Sequence, residues 1–342
     1  MKFIKERFSR DLGIDLGTSN SLVYQKNRGI VVREPSVVAF NEKSKEVLAV
    51  GKKANKMIGR TPGSITAVKP MKDGVIADFD VTEKMLQSFI NRINNRTRFF
   101  KPRIIVCIPS GATDVENKAV LDAALQAGSR EAYLIEEAMA AAMGVGLPVQ
   151  DPMGNMIVDI GGGSTDVAVI SLGGIVISEV IRDGGNRMDT QIIQYIKKNY
   201  NLAIGERTAE ELKKEIGTVS LTKSDASKEI RGRDLVKGLP KSINIRAEEI
   251  KEALQHPVEN IINTIKMVLE NTPPELSSDI INNGIILTGG GSLLRSIDER
   301  IQNEIEITVH ATQKPLDSVA EGTGIALEEI NTLKETLISS GY

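Results

Sequence analysis

Two segments of the 342-residue chain carry an aspartate, glycines and hydroxyl side chains in the same order. The first is Asp15-Leu16-Gly17-Thr18-Ser19-Asn20, and the second is Asp159-Ile160-Gly161-Gly162-Gly163-Ser164. A turn without bulky side chains lets backbone N–H groups approach an anion closely, and short polar side chains add donors. An aspartate at the end of an apolar strand is costly to bury unless a cation stands beside it. Two such carboxylates facing a polyphosphate suit Mg²⁺, which keeps several waters and takes few protein ligands. Either segment alone is equally well read as a tight β-turn with a solvated Asp.

A third cluster, Thr288-Gly289-Gly290-Gly291-Ser292, follows the apolar run Ile285-Ile286-Leu287 and precedes Leu293, Leu294, Ile297 and Ile301. This predicts a buried strand, a glycine turn and a helix, putting flat backbone and a helix N-terminus beside a nucleoside or phosphate. A strand-to-helix turn needing positive φ would use the same residues. The Gly-x-Gly-x-x-Gly and Gly-x₄-Gly-Lys-Ser/Thr fingerprints are absent. Three glycine clusters in this order are far more specific than any one of them.

The elements that must position these residues alternate between strands and helices. Each Asp segment reads as strand, turn, strand, and two copies suggest duplicated domains whose hairpins face each other. Met85, Leu86, Phe89, Ile90 and Ile93 mark one helical face. Thr113-x-x-Glu116 predicts a capped helix that Gly128 stops, and Thr208-x-x-Glu211 predicts a second capped helix carrying Leu212 and Ile216. Met188, Ile192, Ile193 and Ile196 make an amphipathic face, and a long helix through Leu254 to Val268 ends before Pro273-Pro274. Ile135-Glu136-Glu137 leads into the small-residue helix Ala138 to Met143. Adjacent helical residues diverge, so one of Glu136 and Glu137 at most faces a given site. A carboxylate there is otherwise a partner of the helix dipole. The pattern is α/β with a largely parallel or mixed sheet in each half. The more polar segments 35–70 and 186–250 read as smaller inserted subdomains.

Hydrophobic residues are 41% and charged residues 26%, an ordinary globular composition. A formal net charge of −2 provides no global field to recruit nucleic acid. The single cysteine, Cys107, lies in an apolar run and is expected in a core in a reducing compartment. No apolar stretch approaches the roughly 20 residues of a spanning helix and no secretory signal is evident, so a cytoplasmic location is expected. Phe99-Phe100 stands among Arg96, Arg98, Lys101 and Arg103, a loop that could dip into lipid while its cations meet anionic headgroups. Residues 1–10, with Phe3, Ile4 and Phe8, could fold on the same surface.

The three glycine clusters resemble the phosphate 1, phosphate 2 and adenosine motifs of the actin, Hsp70 and sugar-kinase superfamily. Within it the chain is similar along nearly its whole length to the MreB family of bacterial actins. Ile58-Gly59-Arg60-Thr61-Pro62-Gly63, Arg231-Gly232-Arg233-Asp234-Leu235 and segments 29–38, 71–78 and 272–276 carry that similarity. The resemblance implies an actin-like fold of two duplicated domains. Residues 1–148 plus 319–342 would form the first and 149–318 the second, with ATP and Mg²⁺ in the cleft between them. Gly17, Thr18, Ser19 and Asn20 would contact phosphates from one side and Gly161, Gly162 and Gly163 from the other. Asp15 and Asp159 would organise the metal. Gly289, Gly290, Gly291 and Ser292 would border the adenosine. The helix Ala209-Glu210-Glu211-Leu212-Lys213 would supply ribose and base contacts, chiefly from Glu210 and Lys213.

The resemblance further implies that Glu137 is the catalytic glutamate and that Ser164 helps place the water. Three residues depart from the family pattern: Ala138 replaces a Pro, Ser164 a Thr and Asp166 a Glu. Ser lacks the β-branch that restricts a Thr rotamer, so looser water positioning is expected. The implied function is an ATP-dependent cytoskeletal filament former organising cell shape. Its partners would be copies of itself, a membrane lipid surface met through Phe99 and Phe100, and membrane proteins of cell shape or elongation. A small-molecule kinase of the same superfamily is the alternative. It needs a carboxylate base for its acceptor, and only Asp73 offers one.

Overall fold

The computed structural model describes residues 11–94, 101–220, 225–330 and 337–339. Chain order begins with β1 (Leu12–Leu16), β2 (Asn20–Gln25), β3 (Gly29–Pro35), β4 (Val38–Asn41), β5 (Val47–Val50), the short helix α1 (Lys52–Asn55) and β6 (Ile65–Val68). Next come β7 (Met71–Lys72), β8 (Val75–Ile76), α2 (Phe79–Asn94), β9 (Arg103–Ile108), α3 (Asp114–Gln126), β10 (Glu131–Glu136) and α4 (Glu137–Gly144). The second half holds β11 (Asn155–Ile160), β12 (Thr165–Ser171), β13 (Gly174–Ile181), α5 (Gly185–Tyr200), β14 (Leu202–Ala203), α6 (Glu206–Ile216), β15 (Ser227–Asp234) and β16 (Pro240–Arg246). It continues through α7 (Ala247–Glu270), α8 (Pro274–Asn283), β17 (Ile285–Thr288), α9 (Ile297–Ile305) and β18 (Val309–Ala311), then α10 (Ser318–Glu328) and β19 (Ile338–Ser339).

Two large sheets follow one plan. In the first, ordered β19-β10-β9-β1-β2-β3, β1 is antiparallel to β2 and parallel to β9. In the second, ordered β13-β12-β11-β17-β18, β11 is antiparallel to β12 and parallel to β17. Each antiparallel hairpin thus leads into parallel strands, as the repeated Asp segments imply. Small three-stranded sheets, β5-β4-β6 and β14-β15-β16, occupy the two segments expected to be inserted.

Alternation along the strands builds a core shared between the halves. On β11 and β12, Met156, Val158, Ile160, Val167 and Val169 pack toward α5 and α7, while Ile157, Ala168 and Ile170 join a cluster with α4 and α10. Ile105, Cys107 and Ile135 of the first sheet enter that same cluster, so α4 and α10 lie between the sheets. The two helices touch through their backbones. A Cβ built on Gly144 would stand 1.8 Å from the Ser318 carbonyl oxygen, and one on Gly322 would stand 1.7 Å from that of Ala140. This contact explains the small residues Ala138, Ala140, Ala141 and Ala142.

The Thr113–Glu116 capping box is present. Two expectations need correction and a third is extended. The Thr208–Glu211 cap does not form: α6 starts at Glu206 behind Gly205, and the Glu211 carboxylate instead accepts from Arg207 at 2.9 Å, one turn back. As expected α7 ends before Pro273-Pro274, and the pair also opens α8, with Pro at the first helical turn, where its missing N–H is not needed. After the third glycine cluster the chain makes a 3₁₀ turn, Gly290–Leu293, and the α-helix begins only at Ile297. Among the described residues no helix is long and apolar enough to cross a membrane. Phe99, Phe100 and residues 1–10 lie outside the described residues.

Gly322→Ala adds a methyl where a carbonyl oxygen already stands. It should lower the stability of the fold by about 1–3 kcal/mol, the usual range for overpacking, read as a shift of the urea midpoint. Gly63→Ala, whose Cβ would meet open space, should leave the midpoint in place.

Candidate functional site

The two Asp-bearing hairpins meet at their turns, on opposite sides of a cavity of about 460 Å³. A Cβ on Gly162 would lie 2.1 Å from Ser19 Oγ, and one on Gly163 would lie 2.4 Å from Thr18 Oγ1, so only glycine permits this approach. Each turn is tied to a neighbour. Thr18 Oγ1 accepts from the Gly74 N–H at 2.8 Å, and Ser19 Oγ donates to Asn186 Oδ1 at 3.1 Å. The Gly185 and Asn186 N–H groups at the start of α5 donate to the carbonyls of Gly161 (3.0 Å) and Gly162 (2.8 Å). Gly17, Thr18, Ser19 and Asn20 line one wall, and Gly161, Gly162, Gly163 and Ser164 line the other.

Asp15 and Asp159 stand at the strand ends beneath these turns, and both line the cavity. Burial pushes the Asp159 carboxyl up to about 7. Burial first, and then the negative charge of Asp159, push Asp15 up to about 7. Among the described residues no three acidic, His or Cys side chains gather closely enough to hold a metal alone. Two carboxylates beside a space for phosphate and water are the donor set of a sparsely liganded hard cation, so these residues fit Mg²⁺.

Of the paired acids, Glu137 lines the cavity and Glu136 does not. Glu137 begins α4, and burial followed by Asp166, Asp15 and Asp159 holds its pKa well above the usual carboxylate range. Glu136 ends β10 and accepts from the Gly111 backbone. Asp166 is 1% exposed and accepts from the Ser110 N–H at 3.3 Å rather than opening into the cavity, and burial raises it to about 7. Asp73, the one acceptor base considered for a kinase, is not among the groups lining the cavity.

At the opposite end α6 turns one face inward. Glu210, Lys213 and Lys214, spaced i, i+3 and i+4, line the cavity. Ala209 and Leu212 are fully buried in the core instead, and Glu211 points outward to Arg207, so these three do not reach the cavity. Lys213 donates to the Gly185 carbonyl at 2.6 Å and pairs with Asp189 at 2.8 Å. Gly289, Gly290 and Gly291 form the facing wall, and Gly289 has φ +81°. Ser292 is turned away, its hydroxyl donating to the Gly289 carbonyl at 2.7 Å. Leu293 and Leu316 flank the glycines, 61% and 52% exposed, and form an apolar slot against the charged face of α6.

Sequence reasoning missed Asn186, Asp189, Lys214 and Leu316. The first two sit in the opening turns of α5, where Gly184-Gly185 was the available signal. Of the cations expected around Phe99 and Phe100, Arg103 is committed elsewhere: its guanidinium donates to Asp11 at 2.6 and 2.9 Å.

The family model described as MreB/Mbl protein matches residues 9–335. The chain is 50% identical over 332 residues to the cell shape-determining protein Mbl of Bacillus subtilis, covering 97% of this chain and 100% of that one. It is 51% identical over 337 residues to the cell shape-determining protein MreB of Escherichia coli, covering 97% of each. Its structure is similar to that of Spiroplasma citri MreB5 bound to ADP, with TM-score 0.90 and 39% identity over 96% of this chain and 99% of that one.

Asp15 and Asp159 carry ordinary pKa values of 3.8 when unfolded and about 7 when folded. The stability from their protonated forms is full below the unfolded value and is lost as pH rises through the folded one. Without added cation or nucleotide, the thermal midpoint should therefore fall between about pH 4 and pH 7. Asp159→Asn should flatten that fall, because it removes one titrating group and the charge that raises the other. An equal or steeper fall would contradict the assignment.

Proposed function

The chain belongs to the MreB/Mbl family and has its actin-like fold, and from that premise we propose that it binds ATP with Mg²⁺ in the cavity between its sheets. Slow hydrolysis of that ATP would drive the assembly and turnover of membrane-bound filaments that organise cell shape from the cytoplasmic face. The observation that carries the reading is the meeting of the two glycine turns over Asp15 and Asp159, which only a polyphosphate and a hard cation use fully. The nucleotide bound to the Spiroplasma citri relative supports it.

Backbone N–H groups of the two turns would hold the phosphate chain from both sides. Asp15 and Asp159 would hold Mg²⁺, which supplies charge neutralisation at the phosphates. The base would lie in the slot between Leu293, Leu316 and the triple glycine, with Glu210 and Lys213 near the ribose. Glu137 would take the proton from the attacking water, since a buried carboxylate with a raised pKa is the stronger base. Ser164 would orient that water with a less restricted hydroxyl than Thr, in keeping with slow turnover.

Filaments would grow by head-to-tail contacts, which repeat without closing when the rotation between copies does not close. The cell-shape names of the two relatives support a role in morphogenesis beside membrane proteins of elongation. Lipid would be met through Phe99 and Phe100, with Arg96, Arg98 and Lys101 at the headgroups.

Glu137→Ala should leave ATP affinity within a few-fold and slow phosphate release by on the order of 10²-fold. A larger defect in Glu136→Ala would reverse the assignment. ATP-dependent pelleting is expected, whereas phosphorylation of a small acceptor would favour a kinase.

Burying both Phe rings is worth roughly 1.5–3 kcal/mol each, against at most about 1 kcal/mol per cation. Replacing Phe99 and Phe100 with Ser should therefore abolish liposome co-sedimentation at moderate salt. If only removal of residues 1–10 releases the protein, the N-terminal segment is the anchor.

A further inference from the structure

One side chain from each half meets the other near the charged wall of the cavity. Lys69 follows β6 and Glu206 opens α6, and their Nζ and Oε2 atoms are 3.0 Å apart across a sequence separation of 137. Both partners are anchored on elements that reach the cavity. From Lys69 the chain passes through Pro70, whose carbonyl accepts from Ala77 at 2.9 Å and Asp78 at 3.1 Å, and on to Gly74, which lines the cavity and donates to Thr18. From Glu206, α6 runs directly into Glu210, Lys213 and Lys214 of the charged wall. Burial raises the Asp189 carboxyl, while at Glu210 the lysines Lys214, Lys213 and, least, Lys69 outweigh burial and lower it. Among the described residues, no other ion pair joins the region of β4–β6 to α5 and α6.

The pair is exposed, 36% for Lys69 and 71% for Glu206. Such pairs contribute little to fold stability because water and side-chain entropy compete with them. A contact that must break and re-form repeatedly suits that weakness. Other polar links across the halves lie elsewhere: Ser19 to Asn186 and Ser110 to Asp166 at the glycine turns and below them, and Arg33 of β3 to Asp317 at the start of α10.

We propose that the Lys69–Glu206 pair is a strap across the cavity that sets how fast bound nucleotide leaves. The proposal rests on the reading of the cavity as a nucleotide site. A ligand held between two walls leaves when the walls part, and parting them breaks this pair first.

The test is the dissociation of a fluorescent ATP analogue with Mg²⁺ from the full chain, chased with excess ATP. Lys69→Glu and Glu206→Lys should each speed release by about threefold to fivefold, the reach of one exposed ion pair. The double exchange, Lys69→Glu with Glu206→Lys, should return the rate to near wild type. Added salt should speed wild-type release and leave the single variants little changed. Unchanged single variants, or a double exchange that compounds the defect, would overturn the strap. An effect of Lys69→Glu without one of Glu206→Lys would overturn it too, and would mean that Lys69 acts on the phosphates directly. A wild-type chain that binds no analogue would overturn the nucleotide reading and the strap together. Binding with release indifferent to all variants would overturn the strap alone.

Discussion

Burial first, and neighbouring negative charge second, raises the pKa of carboxyl groups crowded into a poorly solvated space, and here Asp15, Asp159, Asp166 and Glu137 are brought together where the two sheets meet. In a hydrocarbon core they would simply be neutral and useless. Beside a cavity with room for cation and phosphate, the three that line it, Asp15, Asp159 and Glu137, become a charged floor for a cation. Much of the remaining architecture serves to hold them there. The β1-β2 and β11-β12 hairpins each carry an aspartate next to the end of the leading strand, α4 brings Glu137 in from the side, and β12 carries Asp166 beneath.

Holding like charges close requires something stiff behind them. That stiffness comes from α4 and α10, whose backbones touch through Gly144 and Gly322 and whose apolar faces share one cluster with both sheets. Close helix contact over small residues leaves little room for sliding. The glycines of the two turns act at the opposite surface of the same floor, allowing Ser19 and Thr18 to approach Gly162 and Gly163 without a clash.

The cavity is therefore asymmetric in its mechanics. Its floor is bound by packed backbone and buried polar links, whereas near its charged wall, among the described residues, the chain after β6 meets the start of α6 through one exposed ion pair. Local opening follows the weaker contacts, so the walls can part while the carboxylates stay in place. The two ends also differ chemically. The turns offer N–H groups and hydroxyls to phosphate, and the far end offers Leu293 and Leu316 against Glu210 and Lys213, a place for a flat ring with polar edges.

Most of the site was legible in the linear chain because its chemistry is local. A turn that cradles an anion needs Gly, Thr and Ser within a few residues of an Asp, and both such turns stand in the sequence as they stand in the fold. The α/β pattern was legible for the same reason, since periodicity of 2 or 3.6 is written in neighbouring residues. Rotation about a helix axis was not. Ala209, Glu211 and Leu212 belong to the expected helix but face the core or solvent, because the turn of α6 that meets the cavity is fixed by Leu212 and Ile216 packing beneath it. Residue types alone left Glu136 and Glu137 open and the family resemblance pointed to Glu137, the one that the strand-to-helix junction turns toward the cavity. Asn186, Asp189 and the Lys69–Glu206 pair come from segments distant in sequence, and no spacing encodes contacts that exist only once two sheets share a core.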